Sequence, residues 1–257
     1  MKLLAKLLGI AIPLTILFSA PVEARDWSVI KGSGTIIAAT EGAFAPFNYY
    51  EGTKLTGYEV DVAEALAKKL GLKLEWKVVP FDAEIPAVKQ DRFDFAIASH
   101  GYTEERAKSV DFASPHYCTG GQIAAQKDGP LTADALKGKT VGVQLATSYF
   151  GAAKKLPGIK NVKTYKADPE AFSALKAKKI DAWISDKFVV LETLSKNPDA
   201  GIVAGDMVFV ERVSLIMRKN NKEFMDQLNH AMAELAKDST LTTLSQKYFK
   251  TDINCRP

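Results

Sequence analysis

Beyond residue 34 the chain alternates short apolar runs with segments whose apolar positions recur every four residues, the pattern of strands and helices taken in turn. Residues 35–39 form an apolar run that reads as a strand. Over residues 58–70 the positions Val62, Leu66 and Leu70 repeat every four. Lys68 and Lys69 occupy the last turn and Gly71 follows, so the spacing predicts a helix stopped by glycine. Residues 72–79 alternate as a half-buried strand, residues 85–90 are helical, and residues 93–98 read as a buried strand. A second block repeats the plan. A strand over residues 140–143 leads through Gln144, Thr147 and Ser148 into a helix. Asp168-Pro169-Glu170 has the form of a helix start, with Asp168 as the cap, and residues 180–184 form a strand that ends at Ser185 and Asp186. Two apolar strands, near residues 122–125 and 208–217, cross the middle of the chain. The C-terminal part is helical, with Phe224, Leu228, Ala231 and Leu235 on one face and Leu241, Leu244 and Tyr248 after them.

This alternation without a long linker predicts two α/β lobes in which each sheet ends on polar residues. Ligands of open α/β sheets sit at the carboxyl ends of strands. The polar ends here are Ser99, His100, Gly101, Tyr102 and Thr103, then Gln144 to Ser148, then Ser185 and Asp186.

Composition changes the picture in one place. The body is ordinary for a soluble globular protein, with 47% hydrophobic and 25% charged residues. Its net charge of +4 comes from nearly balanced signs, with no basic block interleaved with aromatics, so nucleic acid is not an expected partner. Residues 1–24 differ. Lys2 and Lys6 precede an apolar run from Leu7 to Phe18, and Val22-Glu23-Ala24 resembles a cleavage site, so a signal peptide over 1–24 is expected. A cut after Ala20 would leave Pro21 first, and an uncleaved anchor would need a longer run. Removing 1–24 takes away Lys2, Lys6 and Glu23 and leaves a charge of +3. In an exported chain the two cysteines, Cys118 and Cys255, suggest a disulfide tying the C-terminal tail to mid-chain. With His100, His116 and His230 beside them no usual metal-ligand spacing appears, and neither metal nor cofactor is expected.

The candidate chemistry gathers at the strand ends. Thr103-Glu104-Glu105-Arg106 opens a short helix capped by Thr103, which fixes a guanidinium beside exposed backbone. An arginine fork matches a carboxylate with two parallel hydrogen bonds. Arg106 could instead pair on the surface with Glu104, Glu105 or Asp111. Thr147 and Ser148 lie where free N–H groups begin a helix and favour an anion, or serve only as caps. Asp186 could accept an ammonium or cap the helix that starts near Phe188. Phe44, Phe47 and Phe81 sit in loops after strands and could clamp a side chain, although Phe47, next to Pro46, fits a core role better. Glu41 follows the first strand and faces the same place if the two-lobed plan holds, or is only a solvated loop acid.

These residues resemble the periplasmic solute-binding proteins of polar amino-acid ABC transporters, family 3. The likeness runs through Phe44-Ala45-Pro46-Phe47, Gly57-Tyr58-Glu59-Val60-Asp61-Val62, Ile85-Pro86-Ala87-Val88, Thr103-Glu104-Glu105-Arg106 and Val110-Asp111-Phe112. It continues in Gly138-Lys139-Thr140-Val141-Gly142-Val143 and in Asp181-Ala182-Trp183-Ile184-Ser185-Asp186. The resemblance implies a type II periplasmic-binding-protein fold, with two lobes, each a mixed sheet flanked by helices, and a hinge of two crossing strands. Lobe one would comprise 25–117 with 216–257, and lobe two 118–215. By the same resemblance Arg106 and the N–H groups near Thr147 and Ser148 bind a ligand carboxylate. Asp186 and the Ser99 carbonyl bind the α-amino group, Phe44 and Phe81 sandwich the side chain, and Glu41 and Gln144 read it. One departure stands out: at Gly101 the family usually carries Thr or Ser, whose hydroxyl touches the ligand backbone.

The expected function is capture of a small amino acid, basic or uncharged polar, and its delivery to an ABC transporter permease by a periplasmic monomer. Two alternatives share the fold. One is a cyclohexadienyl dehydratase acting on prephenate or arogenate, with Glu41 or His100 as acid. The other is the ligand-binding module of a sensory system.

Overall fold

The computed structural model describes residues 25–255; the expected signal peptide lies outside them. Helix α1 (Trp27–Ser33) leads into strand β1 (Thr35–Thr40), and a small meander follows: β2 (Ala43–Phe44), β3 (Asn48–Glu51) and β4 (Lys54–Thr56). Then come α2 (Tyr58–Leu70), β5 (Lys73–Val78), α3 (Phe81–Lys89), β6 (Phe95–Gly101), α4 (Glu104–Ala107) and β7 (Asp111–Phe112). Strand β8 (Tyr117–Gln126) crosses to β9 (Thr140–Gln144), α5 (Ser148–Lys155), β10 (Asn161–Tyr165), α6 (Asp168–Lys176), β11 (Ala182–Asp186) and α7 (Lys187–Lys196). Strand β12 (Ile202–Met217) returns, and α8 (Lys222–Lys237) and α9 (Thr240–Phe249) close the fold.

The main sheet has the order β10-β9-β11-β8-β12-β6-β1-β5, with β7 also paired to β12. Each end is a parallel set, β5-β1-β6 on one side and β10-β9-β11 on the other. The middle is antiparallel, because β8 and β12 run across from one set to the other. The two expected lobes are therefore the two parallel ends of one mixed sheet, and the crossing pair is their only shared ladder among the described residues. The pairing of β12 with β8 shifts register between Ala204 and Met207 and again before Phe209. Such irregularities bend a strand and loosen its pairing locally, as a hinge requires.

Local structure follows the apolar pattern where that pattern is long. Helix α2 buries Tyr58, Val62, Ala63 and Leu66, and Gly71 ends it at φ 69° with its N–H on the Lys68 carbonyl at 3.1 Å. Its exposed edge is tied to α9, where Asp61 accepts from Lys247 Nζ at 2.6 Å and from Tyr248 Oη at 2.8 Å. Strand β5 is an edge strand, so its alternating Leu74 and Trp76 are only partly covered. Phe47 is fully buried and stacks on Tyr117 at 4.6 Å, a core residue as expected.

Four local expectations are corrected. Helix α3 starts at Phe81 rather than near residue 85, so Phe81 is a helix residue and not a loop residue. Strand β6 runs on to Gly101, which puts Ser99 and His100 in the strand. Phe44 lies on β2. Asp168 does not cap α6. Its buried carboxylate accepts from Trp183 Nε1 at 3.1 Å and Ser185 Oγ at 2.8 Å, so it joins α6 to β11 instead.

Cys118 and Cys255 are disulfide-bonded, and the Cys118 N–H donates to the Ile253 carbonyl at 2.9 Å. The bridge fastens the tail to β8, one of the two crossing strands. It spans 137 residues of sequence, so its loss frees a long loop in the unfolded chain. Cys118→Ser, Cys255→Ser and the double variant should each cost the same stability, about 2–5 kcal/mol in urea unfolding. Reductant should lower the wild type to match them; additive losses would mean the two thiols act apart.

Candidate functional site

The strands of both parallel sets end on one region. Glu41 follows β1, Ser99 and Gly101 end β6, Gln144 ends β9 and Asp186 ends β11. Two residues near these ends hold left-handed backbone without being glycine: Ser99 at φ 59° and Ala146 at φ 63°. Strain of this kind persists only where neighbours over-determine it, and it concentrates at ligand sites.

Ser99 is held by a buried acid. Glu59, in the first turn of α2, accepts from the Ser99 N–H at 2.8 Å and from Ser99 Oγ at 3.0 Å. The same carboxylate accepts from Asn48 Nδ2 at 2.8 Å, and His116 Nε2 lies 2.9 Å from it, which requires the proton on that nitrogen. One side chain thus ties β3, β6 and the approach to β8 to α2.

Arg106 is where the Thr103 cap puts it, with the Thr103 hydroxyl accepting from the Arg106 N–H at 3.2 Å. It makes no surface ion pair. Its guanidinium is buried, donating from Nη1 to the Gly101 carbonyl at 2.7 Å and from Nη2 to the Ala146 carbonyl at 2.8 Å. These carbonyls belong to opposite sides of the cleft, so Arg106 bridges it. Among the described residues no carboxylate lies within ion-pair distance of Arg106, which stacks over the Phe81 ring at 5.4 Å.

A second bridge crosses nearby: Gln144 Nε2 donates to Glu41 Oε1 at 2.6 Å and to the Lys166 carbonyl at 3.2 Å. At the Gln144–Glu41 bridge lies a small cavity of about 10 Å³, lined by Glu41, Phe44, Phe81, Ser99, Gln144, Thr147, Ser148, Ala98 and Tyr149. Seven of the ten expected site residues are thus brought to one pocket, which in this closed state has room for about one water. Arg106 instead lines a wider cleft of about 990 Å³ that shares Thr147 and Ser148 with the pocket. Gly101 contributes its carbonyl to Arg106.

Asp186 and Thr147 both do what a cap does. Asp186 Oδ1 accepts from the Phe188 and Val189 N–H groups at 2.6 and 3.3 Å, and Thr147 Oγ1 accepts from Phe150 N–H at 3.2 Å. Capping does not exhaust either. Asp186 Oδ2 lies 3.5 Å from the Tyr149 hydroxyl, a residue that borders the pocket.

The site is rich in buried acids. Burial, with Asp168 next, pushes the Glu41 carboxyl up to about 8. Burial also raises Asp186 and Asp168 to about 7. His100, weighed as a reactive acid, is neither in the pocket nor on the surface. It is fully buried, stacks on Phe81 at 4.7 Å, and lies 2.6 Å from Glu84. Burial holds the Glu84 carboxyl well above and the His100 imidazole well below their usual ranges, which favours the neutral form of each.

Sequence reading missed Glu59, Glu211 and Tyr149. The signal for the first two was an acid inside an apolar pattern: Glu59 on the buried face of α2, Glu211 within the apolar run of β12.

A two-lobed α/β body with an enclosed pocket between its lobes defines a ligand-binding protein of the solute-receptor class. Residues 36–251 match the bacterial extracellular solute-binding proteins, family 3, and the chain belongs to that family. It is 34% identical over 228 residues to the L-cystine-binding protein TcyJ of Escherichia coli (strain K12), covering 87% of this chain and 86% of that one. It is 32% identical over 223 residues to the arginine-binding extracellular protein ArtP of Bacillus subtilis (strain 168), covering 85% and 88%. Among solved structures, an ancestral arginine-binding protein bound to arginine superposes with a TM-score of 0.81 at 38% identity, covering 84% of this chain and 98% of that one.

Loss of the Glu59 carboxylate would strand several buried donors. Glu59→Gln should cost about 3–5 kcal/mol in urea unfolding, because an amide cannot accept at both positions. A loss under about 1 kcal/mol would mean that Ser99 keeps its conformation without this acid.

Proposed function

We propose that this protein is the exported receptor of an amino-acid ABC transporter, closing two bodies, residues 25–117 with 216–257 and 118–215, over a zwitterionic amino acid. The observation that carries the reading is Arg106, a buried guanidinium that spans the cleft and whose hydrogen bonds, among the described residues, go only to backbone carbonyls. A ligand carboxylate gives it the direct, hydrogen-bonded ion pair that these carbonyls do not. The N–H groups at the start of α5 lie beside it, and the Ser99 carbonyl and Asp186 supply acceptors for the α-ammonium. Phe44 and Phe81 then form the walls, and Glu41 with Gln144 meets the distal group. Residues 1–24 act as the cleaved leader that delivers the chain to the periplasm, where it works as a monomer and hands its ligand to the permease.

The acids around the cleft outnumber Arg106, which favours a distal ammonium or guanidinium over a distal carboxylate. The relative named for arginine takes a ligand with a distal guanidinium, whereas the one named for cystine takes a ligand whose distal end carries both an ammonium and a carboxylate. The reading is tested by calorimetric titration with L-arginine, L-lysine, L-histidine, L-glutamine, L-cystine and L-glutamate. Basic or uncharged polar ligands should bind more tightly than glutamate, and tightest binding of glutamate or aspartate would reverse the assigned orientation. Arg106→Ala should weaken every bound amino acid by about 2–5 kcal/mol while the protein stays folded. Unchanged affinity would remove Arg106 from the site.

Glu41 gives a separate expectation. Held near 8 in the closed pocket, it carries a proton at pH 7, and a guanidinium placed against it favours the ionised form. L-arginine binding at pH 7 should therefore release about one more proton from the wild type than from Glu41→Gln, read by calorimetry in buffers of different ionisation enthalpy. Equal release from both would place the guanidinium elsewhere.

A further inference from the structure

Glu211 lies on β12, opposite Thr119 of β8, and is buried to 8% exposure. Both of its carboxylate oxygens are enclosed; neither makes a hydrogen bond of good geometry among the described residues, although the Ser148 and Tyr149 hydroxyls lie close enough to favour its charge. The groups nearest its charge are the Ser148 and Tyr149 hydroxyls and the Arg106 guanidinium, with Asp186 beyond Tyr149. A buried carboxylate whose acceptor capacity is this poorly used is costly, and a native fold keeps one where something else completes it.

The space it occupies is informative. A Cβ at residue 101 would run into the Glu211 carboxylate, and would come 3.4 Å from Ser148 Oγ. Any side chain at residue 101 and the present position of Glu211 therefore exclude one another. Residue 101, a glycine, leaves that volume without a side chain of its own. The volume of that missing side chain is filled from the neighbouring strand by a carboxylate, a stronger acceptor of N⁺–H than a hydroxyl.

We propose that Glu211 is a ligand-contacting, specificity-determining residue whose carboxylate, seated in the space left by Gly101, accepts the ligand's α-ammonium. The assignment rests on the amino-acid reading above. In it the ligand carboxylate takes Arg106 and the α5 N–H groups, and the ammonium turns to Glu211, Asp186 and the Ser99 carbonyl. Two acids bracketing the Tyr149 hydroxyl make the site demand a charged ammonium. Ligands without one, such as des-amino and α-keto acids, offer these carboxylates no cationic donor.

A competing role is that Glu211 only balances Arg106, and the test separates the two. Each amino acid is titrated beside its des-amino counterpart: L-arginine with δ-guanidinovalerate, L-histidine with imidazolepropionate, L-glutamine with glutaramate, L-cystine with dithiodipropionate. Glu211→Gln, of the same shape, should weaken the amino acid that the wild type binds by about 10- to 100-fold and its des-amino partner by less than about 3-fold. Gly101→Ser alone should weaken binding through the collision. Gly101→Ser/Glu211→Ala, where a hydroxyl regains the space, should bind at least about tenfold more tightly than Glu211→Ala. Equal loss for both partners of a pair, no loss in Glu211→Gln, or a double variant no better than Glu211→Ala overturns the assignment while leaving the receptor reading intact. Failure of the wild type to bind any of the four amino acids overturns both.

Discussion

The Glu59 carboxylate is the interaction on which the cleft depends. Four hydrogen-bond partners from three separate segments meet on it: Asn48, the Ser99 N–H and hydroxyl, and His116. Its place in the first turn of α2 adds the favourable field of a helix N-terminus. The consequence is local and specific. Ser99 adopts a left-handed backbone that an L-residue resists, and that backbone turns its carbonyl relative to the rest of β6. A hydrophobic residue at position 59 could pack α2 equally well, but it could not hold the strand end in that turn.

The charges around the cleft follow the same economy. Arg106 is the single buried arginine or lysine among the described residues, and near it stand Glu41, Asp186 and Glu211, with Asp168 and Glu84 behind. Burial pushes all five acids upward. In the closed cleft burial favours the protonated form of these groups, which avoids the cost of several bare charges in a small volume. A cationic ligand changes that balance, because ionising an acid beside it becomes favourable. Closure and ligand charge are thus linked through proton occupancy, whereas a site made of neutral amides and hydroxyls would close on either sign.

What the sequence disclosed depended on separation along the chain. The α2 helix and its Gly71 stop, the Thr103 cap that presents Arg106, and the strand ends at Gln144 and Asp186 are encoded within a few residues and were legible. The disulfide was legible for another reason: an exported chain with two cysteines leaves one pairing. Asp168 was misread as a cap because Asp-Pro-Glu is a local signal, while its actual partners, Trp183 and Ser185, lie 15 and 17 residues away. His100 was placed in a loop because Ser99-His100-Gly101 looks like a turn. Only the Glu84 contact and the Phe81 stack reveal that it is core. Glu59 and Glu211 carried a visible mark, an acid on an apolar face, yet their roles require knowing which backbone or missing Cβ lies opposite.

The crossing strands bring these threads together. β8 carries Cys118, whose bridge pins the tail, and β12 carries Glu211 directly beside that pair, since Arg212 is in register with Cys118. One end of the crossing is therefore clamped covalently, and the register shifts near Met207 lie toward the other end. Bending would concentrate at the irregular end, and the clamped end, with Glu211 on it, would keep its place against Gly101 and Arg106. A ligand-contacting acid on a hinge strand is ordinarily a poor arrangement, because the motion would move it. Here the disulfide and the unbroken ladder from Phe209 to Val213 hold that stretch fixed, so the acid can belong to the site in both the open and the closed states.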